Sequence, residues 1–159
     1  MQEVAVPEIG QVAPDFRLKG PGGQFVTLSE HRGRRNVVLV FYPLAFSPVC
    51  SHQLPLIQRE LEAFRRLEAE VLGISVDSHY ANTAFARELG VTFPLLSDFE
   101  HQASLAYGVF QPERLYSRRA VFVIDKRGHI VYRDQSPVGG GIDQIPRVDS
   151  LLEALSKLA

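Results

Sequence analysis

Apolar residues follow two rhythms along this chain. One is an unbroken run, Asn36-Val-Val-Leu-Val-Phe-Tyr42, with charge before it and Pro43 after it. Such a run predicts a strand buried on both faces near the centre of a parallel sheet. The other is a helical spacing. Leu54, Ile57, Leu61, Phe64 and Leu67 recur three or four residues apart, with Arg59, Glu62, Arg65 and Glu68 between them. They predict a helix from about residue 49 to 69. Pro55 has no donor for the carbonyl four residues back, so a kink is expected near the second turn.

The remaining elements follow from shorter signals. Gly20-Pro-Gly-Gly23 and the flanking apolar segments predict a small N-terminal hairpin, after which Ser29 would cap a helical turn ending near Gly33. Residues 71–76 predict the next strand. Ser78 would cap a helix running through Leu89 and stopped by Gly90. Phe93-Pro-Leu-Leu-Ser97 predicts a short strand, placed near a sheet edge by its proline. Asp98 would cap a helix ending near Tyr107 and Gly108. Residues 120–124 and 130–132 predict strands joined through Asp125-Lys-Arg-Gly-His129, and residues 148–158 the last helix. Alternating strands and helices followed by a hairpin and a helix predict an α/β fold, a mixed sheet flanked by helices.

Composition narrows the function classes. The chain has 159 residues, a formal net charge of -1, and no run of Lys and Arg that would point to nucleic acid or an anionic membrane. The length fits one domain over residues 1–159. The first residues lack the basic and apolar regions of a signal peptide, and no apolar stretch is long enough for a membrane span. The expected compartment is the cytoplasm. The five histidines form no metal-binding spacing, and Gly139-Gly-Gly141 lacks the context of a nucleotide fingerprint, so no metal or cofactor is expected.

The single cysteine, Cys50, changes the picture most. It cannot pair within its chain or form a Cys-x-x-Cys couple. A lone cysteine is ordinarily a buried small hydrophobe. This one stands where a buried strand has ended and a helix begins. The first N–H groups of a helix lack internal acceptors and carry partial positive charge, which stabilises an anionic sulfur. The thiolate is the nucleophile. Ser47, three residues earlier, can reach the sulfur or a peroxide oxygen, or cap the helix; the two roles are compatible. Pro43 stiffens the loop between them. A displacement by such a nucleophile is also helped by a fixed cation on the departing atom. Ser117-Arg-Arg-Ala-Val-Phe-Val-Ile-Asp125 supplies two at the mouth of a strand. Adjacent strand residues face opposite ways, so only one of Arg118 and Arg119 should reach Cys50, and periodicity alone does not select it. His52, two residues past Cys50, falls on another helix face and is expected in solvent.

Pro43, Ser47 and Cys50 together match the P-x-x-x-[ST]-x-x-C signature of peroxiredoxins. Gly10-x-x-Ala-Pro-Asp-Phe16 resembles that family's opening, and Arg119 its arginine before the strand Val121-Phe-Val-Ile-Asp125. The likeness runs from Val12 to the last helix, and Phe-Tyr-Pro-Leu-Ala-Phe-Ser is most similar to the one-cysteine, AhpE-like branch. The resemblance implies a thioredoxin-like fold, Cys50 oxidised to a sulfenic acid, and Arg119 rather than Arg118 in the active site. With Pro43 and Ser47 these are the expected catalytic residues. It implies a thiol-dependent peroxidase acting on hydrogen peroxide and organic hydroperoxides. With no resolving cysteine, recycling falls to an external thiol or a thioredoxin- or glutaredoxin-like protein. A homodimer is expected, since Leu44, Phe46, Pro48 and Val49 crowd apolar surface before Cys50. One position departs from the pattern: Gln53 stands where many members carry Glu. The competing reading is a thioredoxin-fold redox sensor or holdase that uses Cys50 oxidation without turnover.

Overall fold

The computed structural model describes residues 5–137 and 139–158. Its main sheet has seven strands: β1 (Arg17–Lys19), β2 (Phe25–Thr27), β3 (Asn36–Phe41), β4 (Ala69–Ser75), β5 (Leu95–Ser97), β8 (Ala120–Ile124) and β9 (Ile130–Gln135). Their order is β2-β1-β5-β4-β3-β8-β9. β3, β4 and β5 run parallel, and the flanking pairs are antiparallel, so the sheet is mixed. A separate two-stranded ribbon pairs β6 (Phe110–Gln111) with β7 (Tyr116–Ser117). The helices are α1 (Pro48–Arg59), α2 (Leu61–Arg66), α3 (His79–Leu89), α4 (Gln102–Ala106) and α5 (Val148–Ser156).

The run at β3 is buried at every residue because both sheet faces are covered. Val38, Val40 and Tyr42 face one layer, shared with Leu54 and Ile57 of α1, Phe64 of α2, Phe85 of α3 and Leu151 and Leu155 of α5. Val37, Leu39 and Phe41 face the other layer, built from the N-terminal segment, α4 and the rings of Phe16, Tyr107 and Phe122. The strand's alternation thus serves two cores. α3 behaves as its sequence dictates: the Ser78 hydroxyl accepts from the Ala81 amide at 3.2 Å, and Gly90 ends it in the left-handed conformation. Both Asp98 carboxylate oxygens accept first-turn amides of α4, from Ala103 and Ser104.

Three expectations are corrected. The long helix after Cys50 is two helices, and it breaks at Glu60 rather than kinking at Pro55. Pro55 removes one hydrogen bond from α1, which continues through it, while Glu60 carries the non-helical backbone. β5 is an interior strand, between β1 and β4. Its proline, Pro94, lies one residue before the strand and contributes only its carbonyl, which accepts from the Gly73 amide at 2.9 Å. The helical turn over Leu28–His31 starts one residue before Ser29, so Ser29 lies within it instead of capping it. The β6–β7 ribbon, too short for a periodic signal, was not expected.

Candidate active site around Cys50

β3 delivers the chain to Tyr42, and the loop from Pro43 to Ser47 turns it into α1. Cys50 is the third residue of that helix and is fully buried. Its sulfur therefore lies in the helix's first turn, among amides without helical acceptors. Arg119, 7 % exposed, approaches from the residue before β8. Its Nη2 donates to Cys50 Sγ at 3.3 Å. A permanently charged, buried guanidinium therefore lies directly against the sulfur.

The choice between the two arginines follows from the strand's alternation. Val121 and Val123 belong to the same core layer as Cys50, and Ala120 and Phe122 to the opposite one. Arg119 shares the side of Val121 and meets the sulfur. Arg118 turns away and lies half-buried, with Nη2 donating to the Ser136 carbonyl at 3.4 Å and a buried Nε that finds no acceptor among the described residues.

Gln53, one helical turn after Cys50, is also buried. Its Oε1 accepts from Arg119 Nη1 at 2.5 Å, so the two guanidinium nitrogens hold the sulfur and the amide side by side. Since arginine offers only donors, the amide oxygen must face it. The amide nitrogen is then left buried without a partner among the described residues. The sequence singled out Gln53 only as a departure; its direct contact with Arg119 needed the fold.

Ser47 occupies the helix N-cap without making a capping bond, and its hydroxyl donates to the Leu44 carbonyl at 3.0 Å. It braces the loop from inside. Pro43 and Arg119 both line a cavity of about 140 Å³. His52 is exposed.

A polar network beneath the loop was missed from sequence. The Tyr42 hydroxyl donates to Asn82 Oδ1 at 2.6 Å, and Asn82 Nδ2 donates to Ser75 Oγ at 3.0 Å. Ser75 in turn donates to Asp77 Oδ2 at 2.7 Å, and that carboxylate accepts the Ala45 amide at 2.7 Å. Burial pushes the Tyr42 hydroxyl far above the ordinary tyrosine range, so it stays a donor. The signal available was an asparagine on the apolar side of α3, which is fully buried. No group of three or more metal-ligating side chains is present among the described residues.

Residues 9–133 match the model of the AhpC/TSA family. The chain is 40 % identical over 145 residues to alkyl hydroperoxide reductase E of Mycobacterium tuberculosis, covering 90 % of this chain and 95 % of that protein. It is 35 % identical over 130 residues to peroxiredoxin Bcp of Bacillus subtilis, covering 78 % and 82 %. Among solved structures, peroxidoxin BcpB from Mycobacterium tuberculosis superposes with a TM-score of 0.85 at 26 % identity, over 95 % of this chain and 97 % of that one. The reduced 2-Cys peroxiredoxin of Plasmodium vivax gives 0.83 at 28 % identity, over 94 % and 81 %.

Proposed function

The chain belongs to the AhpC/TSA family of peroxiredoxins, and from that premise we propose that it reduces hydroperoxides through Cys50 as a one-cysteine, thiol-dependent peroxidase. The observation that carries this reading is the 3.3 Å contact between Arg119 Nη2 and Cys50 Sγ at the start of α1. A nucleophile and the cation suited to its leaving group lie together in a water-poor site.

Cys50 Sγ attacks the terminal oxygen of the hydroperoxide. The S–O bond forms, the O–O bond breaks, and its electron pair leaves on the alkoxide, which takes up a proton to give the alcohol (water, for hydrogen peroxide). Sulfur is oxidised by two electrons to the sulfenic acid. Arg119 stabilises the negative charge as it moves from sulfur to the leaving oxygen. Ser47 holds the loop through its bond to the Leu44 carbonyl, and Pro43 fixes the loop's entry. One external thiol displaces water to give a mixed disulfide, and a second releases Cys50 and a disulfide product. Small thiols and thioredoxin- or glutaredoxin-like proteins fit this role. The sensor or holdase reading is not favoured, because a bare sensor has no use for Arg119 at the sulfur. The working unit is one domain over residues 1–159, acting in the cytoplasm as a homodimer. Among the described residues, no helix is long and apolar enough to cross a membrane.

The test is chemical. Reduced protein treated with one equivalent of hydrogen peroxide and a sulfenic-acid trap should carry the adduct on Cys50 by mass spectrometry. Excess peroxide should add a sulfinic acid, since no second cysteine intercepts the intermediate. A Cys50 thiol left unmodified at pH 7 would reject the proposal.

A further inference from the structure

The cavity beside the active site has an unusual lining for a chain whose formal net charge is -1. Arg114, Arg118 and Arg119 all border it, with Tyr116 and Ser136 between them, and no Asp or Glu among the described residues lines it. None of the three arginines forms an ion pair among the described residues. Three guanidiniums around one concavity repel one another, and low-dielectric walls focus their field outward. Arg118 Nε is buried with no acceptor among the described residues. Among the described residues its guanidinium makes one hydrogen bond, the 3.4 Å contact from Nη2 to the Ser136 carbonyl, so further donors remain for an anion in the cavity. Arg119 belongs to both places: it lines the cavity and its Nη2 touches Cys50 Sγ.

We propose that this cavity is an anion subsite that binds the carboxylate of a small organic substrate of Cys50, held by Arg118 and Arg114. The inference rests on the peroxidase reading and names a substrate class for it. At about 140 Å³ the cavity takes a head group rather than a whole ligand. Guanidiniums suit that head group, since their paired N–H donors match a carboxylate. The rest of the molecule extends past Arg119 and Pro43 towards the sulfur. Two molecules present this chemistry at different steps: a carboxylated thiol that reduces the sulfenic acid, and a carboxylated hydroperoxide that forms it.

The experiment separates the two. Rates of sulfenic-acid reduction are measured with 3-mercaptopropionate and the neutral 3-mercaptopropanol. Rates of Cys50 oxidation are measured with 5-hydroperoxypentanoate, its methyl ester and hydrogen peroxide. In the Arg114→Gln/Arg118→Gln variant the carboxylated member of at least one pair should lose about tenfold or more, the scale of a charge-assisted hydrogen bond. The neutral members and hydrogen peroxide should hold their rates, and Arg118→Lys should retain part of the preference. The arm that responds identifies the source of the carboxylate. Circular dichroism checks the fold of each variant, and the single Arg114→Gln change, at an exposed side chain, should lose a smaller factor in the same arm. A readout independent of turnover is the NMR resonance of Arg118 Nε–H titrated with succinate, which should shift and saturate. Normal oxidation by hydrogen peroxide with no carboxylate-specific loss and no shift would overturn the subsite. A protein inert to hydrogen peroxide that still shows the saturable shift would reject the peroxidase reading and leave the subsite standing.

Discussion

Arg118 and Arg119 are neighbours in the chain with different surroundings. Arg119 is buried against Cys50 Sγ and Gln53 Oε1, while Arg118 is half-buried in the wall of the adjoining cavity. In the proposed mechanism, replacing Arg119 by Met removes the cation at the breaking O–O bond, and it leaves Gln53 facing an apolar chain. Single-turnover oxidation by hydrogen peroxide should slow by about a hundredfold or more, the cost of losing one preorganised donor. Arg118→Met should change that rate little, since Arg118 does not touch the sulfur. Equal small effects, or the reverse order, would place the catalytic cation elsewhere. Cys50, Ser47 and the pair of arginines stood out in the sequence through spacing and chemical type. The family resemblance already selected Arg119; periodicity alone could not, because only the sheet's packing shows that Val121 and Cys50 share a layer. Gln53 shows a different limit. Its type was legible, but its consequence was not. A carboxylate there would offset the charge of Arg119, whereas an amide orients the guanidinium and leaves its charge for the sulfur.

At the scale of elements, the loop before α1 is held from below by β4 and α3. Asn82 connects the Tyr42 hydroxyl to Ser75, and Ser75 leads through Asp77 to the Ala45 amide. Asn82→Leu keeps the branched heavy-atom shape of the side chain and strands a buried phenol. It should lower unfolding stability by about 1–3 kcal/mol, the cost of an unsatisfied buried polar group. Urea denaturation would read this as a lower midpoint at unchanged slope. An unchanged midpoint would mean that water replaces the amide and that the network does not hold the loop. Long or punctuated elements were legible: β3 from its unbroken apolar run, α3 from its serine cap and terminal glycine. Short ones were not. A two-residue strand such as β6 has no period to read, and its pairing with β7 depends on chain that loops back. The break at Glu60 also had no local signal, since glutamate is an ordinary helix former.

For the whole molecule, the open question is what covers the apolar loop beside the site. Leu44 and Phe46 are 38 % and 54 % exposed, Pro48 is exposed as well, and Val49 is half-buried. The Phe46 ring rests on Phe85 at 5.0 Å between centroids and still presents much of its surface to solvent. Its backbone lies in the left-handed region, at φ 67, which disfavours a bulky side chain. Holding a phenylalanine there and exposing it carries two costs, and burial against a second copy would offset both. A two-fold dimer sets the same patch against itself, so each loop would meet its equivalent or a neighbour of it. Light scattering at micromolar concentration should give a dimer mass for the natural chain. Phe46→Asn is the informative variant, because asparagine tolerates the left-handed backbone while removing the ring. Its fold should survive, as judged by circular dichroism, and its mass should fall towards that of one chain as the protein is diluted. A monomeric mass for the natural chain over a wide concentration range would count against the dimer. A variant that stays dimeric would move the interface away from this loop.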